Sequence, residues 1–307
     1  MTGSLLVVRP GMLTTVQDLG RWGWQNSGVP VAGPMDAYSH RLANRLVGNP
    51  DTAAALEITL LGPELEADAD VVCAVAGAGF ALTVDGHGVA MNRAFTMPAG
   101  SRLRCGARGA GTRAALAVHG GFDLPLIFGS RATSVVSRMG PVEGRALVAG
   151  DRLPVGEHVG GAQLPGTPLP LPVGGARLRV VIGPHEGAFT DAAFEALLHA
   201  RFVVTPQSNR MGYRLEGPAL AHRGAADILS DATPVGSLQV PGSGQPIMLM
   251  ADRQTTGGYP KIATVISADL PLAGQLAPGD WIEFAACTRY AAIEALRTLE
   301  ARLAGAS

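Results

Sequence analysis

Charge is scarce in this 307-residue sequence, and its two signs nearly cancel. Charged residues make up 16% of the chain, with 24 Lys and Arg against 25 Asp and Glu, so the formal net charge is -1. Binding to nucleic acid or to an anionic membrane needs a positively charged surface, which this balance does not provide. Because 47% of the residues are hydrophobic, we expect much of the surface to be covered, either by internal packing or by another subunit.

Cysteines and long apolar runs are equally scarce. Cys73, Cys105 and Cys287 include no CxxC pair, which argues against a zinc site or a disulfide-based fold. No run reaches the ~18 apolar residues of a membrane span, and the N-terminus lacks a basic segment followed by a long apolar one. The sequence therefore predicts a soluble, cytoplasmic protein without a membrane partner.

Familiar catalytic motifs are also missing. There is no GxxxxGK[ST] phosphate loop, and Gly77-Ala78-Gly79 lacks the third glycine of the dinucleotide fingerprint. The seven histidines form neither an HExxH nor an HxH pair, so local spacing predicts no metal site, although ligands from distant segments stay open. The absence of a GxSxG elbow disfavours a covalent serine nucleophile.

Glycine and proline, at 41 and 22 residues, separate many short apolar segments. This pattern is typical of a β-rich barrel or sandwich and not of a doubly wound α/β fold. Three helices are predicted: 37–47 behind an Asp36 N-cap, one that begins at Thr190, and 291–303, whose apolar stripe is expected to dock on the C-terminal domain. The predicted fold class is mainly β with a few helices.

A stretch rich in proline and glycine divides the chain near its middle. We predict an N-terminal β domain over 1–158, a linker over 159–175, and a C-terminal β domain with a terminal helix over 176–307. The segment LGPEL at 61–65 is echoed by EGPAL at 216–220, which is consistent with two related domains.

The segment DRQTTGGYPKIA, residues 252–263, is strongly polar although apolar, β-prone runs flank it on both sides. It is therefore predicted to be a loop between two buried strands, where binding groups are commonly found. Gly257 and Gly258 allow a close backbone approach, and Arg253 and Lys261 offer cationic donors to an anionic group. A solvated hairpin loop without a function is the alternative.

Two further polar clusters are candidates for the same site. Arg210 lies in PQSNRMGYRL, where its planar fork would suit a carboxylate or phosphate, and a structural ion pair is the alternative. Gln239 and Gln245 lie in GSLQVPGSGQ, where structure alone would explain the proline and the glycines but not the pair of glutamines. Glu57, an acid within an apolar run, is either paired, edge-facing or functional.

Five segments of the sequence carry a resemblance to a known family: GPMDAYSHRLANRLVGN (33–49), ALEITLLGPEL (55–65), SNRMGYRLEGP (208–218), GSLQVPGSGQPI (236–247) and DRQTTGGYPKIATVISADL (252–270). On these segments the chain resembles the biotin-dependent carboxyltransferase-like family, which includes the C-type subunit of 5-oxoprolinase and was long labelled allophanate hydrolase subunit 2. Antagonists of a sporulation kinase inhibitor and the carboxyltransferase domain of urea amidolyase belong to the same family. The resemblance implies two cyclophilin-like β-barrel domains.

The resemblance further implies a hydrolase subunit that, with a B-type partner and a separate A-type partner, opens the lactam of 5-oxoproline to glutamate. ATP would be used by the complex, at a site the sequence does not locate. No covalently attached biotin is expected, because the sequence lacks an AMKM-type biotinyl-lysine segment. The alternatives are an allophanate hydrolase or urea amidolyase-like carboxyltransferase chain acting on a urea-like substrate, and a regulatory module that binds a kinase-inhibitor-like partner.

The resemblance also implies the site residues. Arg253, Lys261 and Asp252 are expected to be catalytic, without a metal. The expected substrate-binding residues are Arg210, Gln239, Gln254, Thr255, Thr256, Gly257, Gly258 and Tyr259. In this hypothesis Arg253 or Lys261 holds an anionic group, Gln239 and the threonine hydroxyls orient the amide, and Asp252 fixes Arg253. No general base is assigned.

Overall fold

The computed structural model describes residues 3–157 and 164–305. The chain divides into two compact units. The first comprises Met1–Trp22, Ala32–Leu171 and Ala301–Ser307, and the second comprises Gly23–Val31 and Pro172–Glu300. The predicted domain limits, 1–158 and 176–307, stay a prediction. Positions 158–163, which include the start of the predicted linker over 159–175, lie outside the described residues.

The first unit contains two β-sheets. Its described strands are β1 (Ser4–Arg9), β2 (Leu13–Gln17), β3 (Ala55–Thr59), β4 (Glu64–Ala67), β5 (Val71–Gly77), β6 (Phe80–Val84), β7 (His87–Val89), β8 (Ala94–Met97), β9 (Arg102–Arg108), β10 (Arg113–Val118) and β11 (Arg152–Pro154). One sheet has the strand order β11-β1-β4-β9-β6-β7, and the other has the order β2-β3-β10-β5-β8.

The core of the first unit lies between these sheets. In β1, Leu5 and Val7 are buried while their neighbours are more exposed, which is the alternation of a strand with one covered face. β10 is buried along its whole length, because the helix α1 (Ala37–Leu46) packs against it as well. Leu5 and Val7 of the first sheet join Leu116 and Val118 of the second in one buried cluster. Each such side chain contributes about 1.5–3 kcal/mol by leaving water.

Two helices begin where the sequence predicts them. The Asp36 carboxylate accepts a hydrogen bond from the Ser39 backbone N–H at 2.9 Å and caps α1. The Thr190 hydroxyl accepts one from the Ala193 N–H at 3.2 Å and caps α2 (Asp191–His199). A cap of this kind stabilises a helix by about 1 kcal/mol, because it satisfies an amide that has no partner inside the helix.

The second unit is built around a closed barrel of seven strands with the order β12-β19-β16-β17-β14-β13-β20. Its described strands are β12 (Gly175–Ile182), β13 (Arg201–Val204), β14 (Gly212–Glu216), β15 (Asp231–Ala232), β16 (Ser237–Gln239), β17 (Ile247–Leu249), β18 (Thr256–Gly257), β19 (Lys261–Val265) and β20 (Trp281–Ala286). β15 and β18 form a separate two-stranded sheet. The barrel pairs are antiparallel except β12 with β20, which run parallel.

The remaining helices are α3 (Leu270–Gly274), α4 (Arg289–Leu303) and short 3₁₀ turns at Gln25–Ser27, Glu186–Ala188 and Ser267–Asp269. α4 begins two residues before the predicted 291–303, and its predicted apolar stripe is partly exposed. Ile293 is 51% and Leu296 36% exposed, whereas Leu303 is buried. The expectation that this stripe docks on the C-terminal domain stays a prediction. Its spacing is helical, but spacing does not reveal whether a surface covers it.

The mainly β fold with a few helices is confirmed, and the second unit contains a closed barrel. None of the helices in the described ranges is long and apolar enough to cross a membrane.

Candidate functional site

The polar segment 252–263 joins two barrel strands, as predicted. It leaves β17, passes through the short strand β18, and enters β19 at Lys261. β18 pairs with β15, so that Asp231 lies opposite Gly257 and Ala232 opposite Thr256. Polar side chains of this segment are thereby fixed at one end of the barrel.

Lys261 is surrounded because of the order of the barrel strands. β19 lies between β12 and β16, and both pair with it in antiparallel fashion. The residues that follow β12 therefore lie beside the start of β19, and Gln239, the last residue of β16, lies opposite Lys261. The register shifts between Leu238 and Gln239, an irregularity that re-aims a side chain beside a site.

Arg210 and Asp252 form a buried ion pair. Arg210 Nε donates to Asp252 Oδ2 and Nη2 to Oδ1, each at 3.1 Å, and the two side chains are 6% and 1% exposed. The backbone N–H of Asp252 also donates to the Arg210 carbonyl at 2.8 Å. The hypothesis that Asp252 fixes Arg253 is therefore wrong, since its carboxylate binds Arg210. The structural alternative for Arg210 is the one that this geometry supports.

Arg253 points into the protein. Its Nε donates to the Thr233 carbonyl at 2.7 Å and its Nη1 to the Met250 carbonyl at 3.5 Å. The residue is 8% exposed, and burial lowers the pKa of its guanidinium. Arg253 thus connects the start of the polar segment to Thr233, which directly follows β15. Its expected catalytic role stays a prediction.

The amide side chains form a second group. Gln254 Nε2 donates to Gln239 Oε1 at 3.3 Å, and Gln239 Nε2 donates to the Tyr259 carbonyl at 3.5 Å. Gly257 lies against this pair, and a Cβ there would come within 2.5 Å of Gln239 Nε2. Gln239 is buried, whereas Gln254 is exposed, so the pair runs from the barrel to the surface.

The remaining expected substrate-binding residues contribute backbone contacts to the same segment. The Thr255 carbonyl accepts from the Thr233 N–H at 3.1 Å, and the Gly258 carbonyl accepts from the Ile228 N–H at 2.8 Å. Thr256 and Tyr259 are exposed, and Thr255 is half-buried. Their side chains therefore line the outer face of the segment.

Lys261 makes an ion pair that the sequence analysis did not predict. Its side chain is 2% exposed, and its Nζ donates to Asp231 Oδ2 at 2.9 Å. His185 Nε2 lies 4.0 Å from the same oxygen, and His185 Nδ1 accepts a hydrogen bond from the Lys261 backbone N–H at 3.2 Å. Lysine, histidine and aspartate thus meet at one position.

The charges of this group determine its protonation. The hydrogen bond from Lys261 lowers the pKa of Asp231, which is therefore ionised at neutral pH. Burial, and then the positive charge of Lys261, lower the pKa of His185, and the Asp231 carboxylate opposes this only in part. His185 is accordingly a neutral imidazole at neutral pH.

The sequence analysis missed His185 and Asp231. One signal for His185 was present, because it closely follows the short apolar segment LRVVI at 178–182, and residues that follow buried strands often form sites. Asp231 gave no local signal. It lies 30 residues from Lys261, and only the pairing of β15 with β18 brings the two together.

The first unit also contains buried polar residues, and Glu57 is paired there. Its Oε2 accepts from the Met35 backbone N–H at 2.6 Å. An open cleft of about 510 Å³ in this unit is lined by Asn49, Asp123 and Arg131 among others, and by none of the expected site residues. The expected site therefore belongs to the second unit.

The cations of the site are already engaged with protein oxygens. Arg210 binds Asp252, Arg253 binds two carbonyls, and Lys261 binds Asp231. A triphosphate needs several donors directed at it, so these residues do not fit an ATP site. Over the ranges 3–157 and 164–305, no group of three or more His, Cys, Asp or Glu is placed to hold a metal ion.

Comparison with known proteins gives a consistent result. The family model described as carboxyltransferase domain, subdomain A and B, matches residues 27–286. The C-type subunit of the 5-oxoprolinase of Escherichia coli (strain K12) is 41% identical over 298 residues, which cover 95% of this chain and 94% of that protein. The urea amidolyase of Saccharomyces cerevisiae is 33% identical over 302 residues, 92% of this chain but 16% of that protein.

A solved structure agrees with the fold. The crystal structure of the K. lactis urea amidolyase superposes with a TM-score of 0.92 and 32% identity, over 97% of this chain and 19% of that one. The resemblance expected from the five sequence segments is confirmed. On this evidence the chain belongs to the family of the carboxyltransferase domain, subdomains A and B, which includes the C-type subunit of 5-oxoprolinase and part of urea amidolyase.

Proposed function

We propose that this chain is the C-type subunit of a 5-oxoprolinase, a hetero-complex that opens the lactam of 5-oxoproline to glutamate with consumption of ATP. The observation that carries the proposal is full-length correspondence: 41% identity extends over 94% of the C-type subunit of the Escherichia coli 5-oxoprolinase. The urea amidolyases match over a small part of their own length.

The chemistry of a lactam supports the assignment of polar donors to this site. In a five-membered lactam the amide oxygen is a weak nucleophile and the carbonyl carbon is a weak electrophile. Activation of the amide therefore develops charge, which hydrogen-bond donors must stabilise. Lys261 supplies a positive charge, and the Gln239 and Gln254 amides supply neutral donors and acceptors. Gly257 allows the backbone to pass close to Gln239.

In this proposal the complex consumes ATP, and no residue of this chain binds it. The partners in the proposal are one B-type and one A-type protein. Exposed apolar side chains on the first unit support a protein partner, since Trp22 is 60%, Leu126 56% and Phe128 47% exposed. No biotin is attached to this chain in the proposal.

The test is ATP-dependent release of glutamate from 5-oxoproline by the chain co-expressed with its B-type and A-type partners, with each chain omitted in turn. Turnover that requires this chain supports the proposal. Lys261→Ala is expected to lower turnover by about 100-fold or more without preventing assembly, and Arg253→Ala is compared with it. Arg177→Ala removes an exposed positive charge of the same unit and is the matched control.

A second function deserves the same assay, because the fold superposes on urea amidolyase with a TM-score of 0.92. In that alternative the site receives a urea-like amide or carboxyl group, and the complex turns over urea or allophanate but not 5-oxoproline. A stable complex with no turnover of any of these substrates, unaffected by Lys261→Ala, would instead favour a regulatory binding module.

A further inference from the structure

Lys261 is the only lysine in the sequence, since the other 23 of the 24 Lys and Arg residues are arginine. A chain that otherwise carries its positive charge on guanidinium groups has placed one primary ammonium in a buried position, 2% exposed. An ammonium is a compact point charge with three donors, whereas a guanidinium is a wide planar fork. The position therefore suits a single oxygen of a small anion better than a bidentate pair.

His185 provides a second donor at the same position. Gly183 holds the turn after β12 close to β19, because its N–H donates to the Ile262 carbonyl at 2.7 Å and a Cβ on it would come within 2.3 Å of the Lys261 carbonyl oxygen. The Lys261 backbone N–H donates a hydrogen bond to His185 Nδ1. In the neutral imidazole the proton then lies on Nε2, the nitrogen 4.0 Å from Asp231 Oδ2.

The Asp231 carboxylate lies at the point on which these donors converge, and few described contacts hold it there. Its side chain is 51% exposed, and it lies in a segment, 223–232, whose residues are mostly exposed. Its Oδ1 accepts from the Ala232 N–H at 2.7 Å, so the described contacts of the carboxylate are one backbone amide and Lys261. Displacement of this one carboxylate would leave the Lys261 ammonium without its described counter-ion.

We propose that Lys261 and His185 form a subsite for a small carboxylate, which the Asp231 side chain closes in the ligand-free chain and vacates when a ligand carboxylate takes its place. The inference deepens the proposed function and rests on it for the identity of the ligand, the carboxylate of 5-oxoproline. The ligand oxygen accepts hydrogen bonds from Nζ–H of Lys261 and from Nε2–H of His185. Asp231 acts as an internal competitor for both donors.

The single lysine makes a direct test possible. The full-length chain is produced with ¹⁵N-labelled lysine, so that its side-chain ammonium signal comes from Lys261 alone, and is titrated with acetate, 5-oxoproline and 2-pyrrolidinone. The two carboxylates are expected to shift the signal in a saturable manner. The lactam without a carboxylate is expected to leave it unchanged.

Substitutions test whether Asp231 competes with the ligand carboxylate or is only a structural partner of Lys261. Asp231→Ala is expected to lower the dissociation constant for 5-oxoproline by roughly three- to tenfold, because apparent affinity scales with the fraction of molecules in which the subsite is open. Asp227→Ala removes another exposed carboxylate of the same segment and controls for net charge. Weaker binding in Asp231→Ala, or an equal gain in Asp227→Ala, would overturn the proposal.

His185 is tested with two substitutions of different reach. Asn can still accept from the Lys261 N–H but lacks a donor at the Nε2 position, whereas Gln extends a donor toward it. Binding is expected to be weaker in His185→Asn and partly restored in His185→Gln, and equal binding in both contradicts the role of Nε2.

Failure of the subsite and failure of the proposed function have different signatures. Carboxylate binding to the isolated chain, combined with no glutamate release by the complete complex, leaves the subsite standing and removes the 5-oxoprolinase assignment. Glutamate release that depends on this chain, combined with no shift of the lysine signal for any carboxylate, supports the 5-oxoprolinase assignment and overturns the subsite.

Discussion

The Arg210–Asp252 pair is expected to stabilise the barrel, and this can be tested by removing its charges one at a time. The perturbations are Asp252→Asn, Arg210→Met and the two together. Each single change leaves one full charge buried, because the side chains are 6% and 1% exposed and the two hydrogen bonds between them, both 3.1 Å, are lost or weakened. The double variant removes both charges of the pair.

Two routes give the magnitude. Unit charges about 4 Å apart at an effective dielectric constant near 20 attract by about 4 kcal/mol. Breaking a buried ion pair by removing one partner costs about 3–5 kcal/mol, because the other charge stays without its counter-ion. Each single variant should therefore lose about 3–5 kcal/mol of unfolding free energy, which for a unit of this size lowers the melting temperature by roughly 10–15 °C.

The assay is urea and thermal unfolding of the four proteins, followed by a double-mutant cycle. The double variant should be less destabilised than the sum of the single variants by at least about 2 kcal/mol, because the second change removes the charge that the first left unpaired. A coupling free energy below about 0.5 kcal/mol would refute the structural role and return Arg210 to the list of substrate-binding candidates.

Three further outcomes are expected. Gly257→Ala should displace the Gln239 amide, whose Nε2 would lie 2.5 Å from the new Cβ, so that turnover of the complex falls about 10- to 100-fold while urea unfolding changes by less than about 2 kcal/mol; unchanged turnover would contradict this. Burial lowers the pKa of His40 from 6.5 to about 4, so the unfolded state takes up the proton at a higher pH than the folded state, and the free energy of unfolding should fall by about 2 kcal/mol between pH 7.5 and pH 5. His40→Gln should remove this loss, and an equal loss in the variant would contradict the role of His40. Lys261→Arg keeps the charge but should lower turnover by about 100-fold, since a guanidinium is wider than the buried position allows; retention of a tenth or more of the turnover would show that the ammonium is not required.

Local signals in the sequence were sufficient where a structure is locally determined. The Asp36 and Thr190 caps follow from side chains that bind amides three residues away, and both helices begin there. The polar segment after β17 was recognisable because apolar strand-forming runs flank it. Glu57 illustrates the limit, since its partner amide at Met35 is 22 residues away and gave no signal.

The pairing of charges could not be predicted because it depends on the order of strands in the barrel. Asp252 follows β17 and Arg210 precedes β14, and these strands are neighbours in the barrel although the residues are 42 positions apart. The hypothesis that Asp252 fixes Arg253 used sequence proximity instead. Adjacent residues of a tight turn commonly point in different directions, and here one binds an arginine and the other a pair of carbonyls.

The distribution of partners among the three cations bears on which substrates the site can accept. The arginine side chains bind oxygens that are buried in the protein, so an incoming anion would have to break buried hydrogen bonds to reach them. Lys261 instead binds the half-exposed carboxylate of Asp231. Of the three cations, Lys261 is therefore the one whose partner an anionic ligand replaces with the smallest loss of buried hydrogen bonds.

A neutral amide such as urea brings no charge to compete with Asp231, whereas 5-oxoproline carries a carboxylate on the lactam ring itself. Allophanate also carries a carboxylate, so the subsite alone does not separate these two anions. It does separate both of them from neutral amides. The complex should accordingly turn over 5-oxoproline at least about 100-fold more efficiently than 2-pyrrolidinone, whose ring is the same but lacks the carboxylate, because the charged contact to Lys261 is lost. Comparable efficiency with the two lactams would mean that recognition of the substrate does not pass through Lys261.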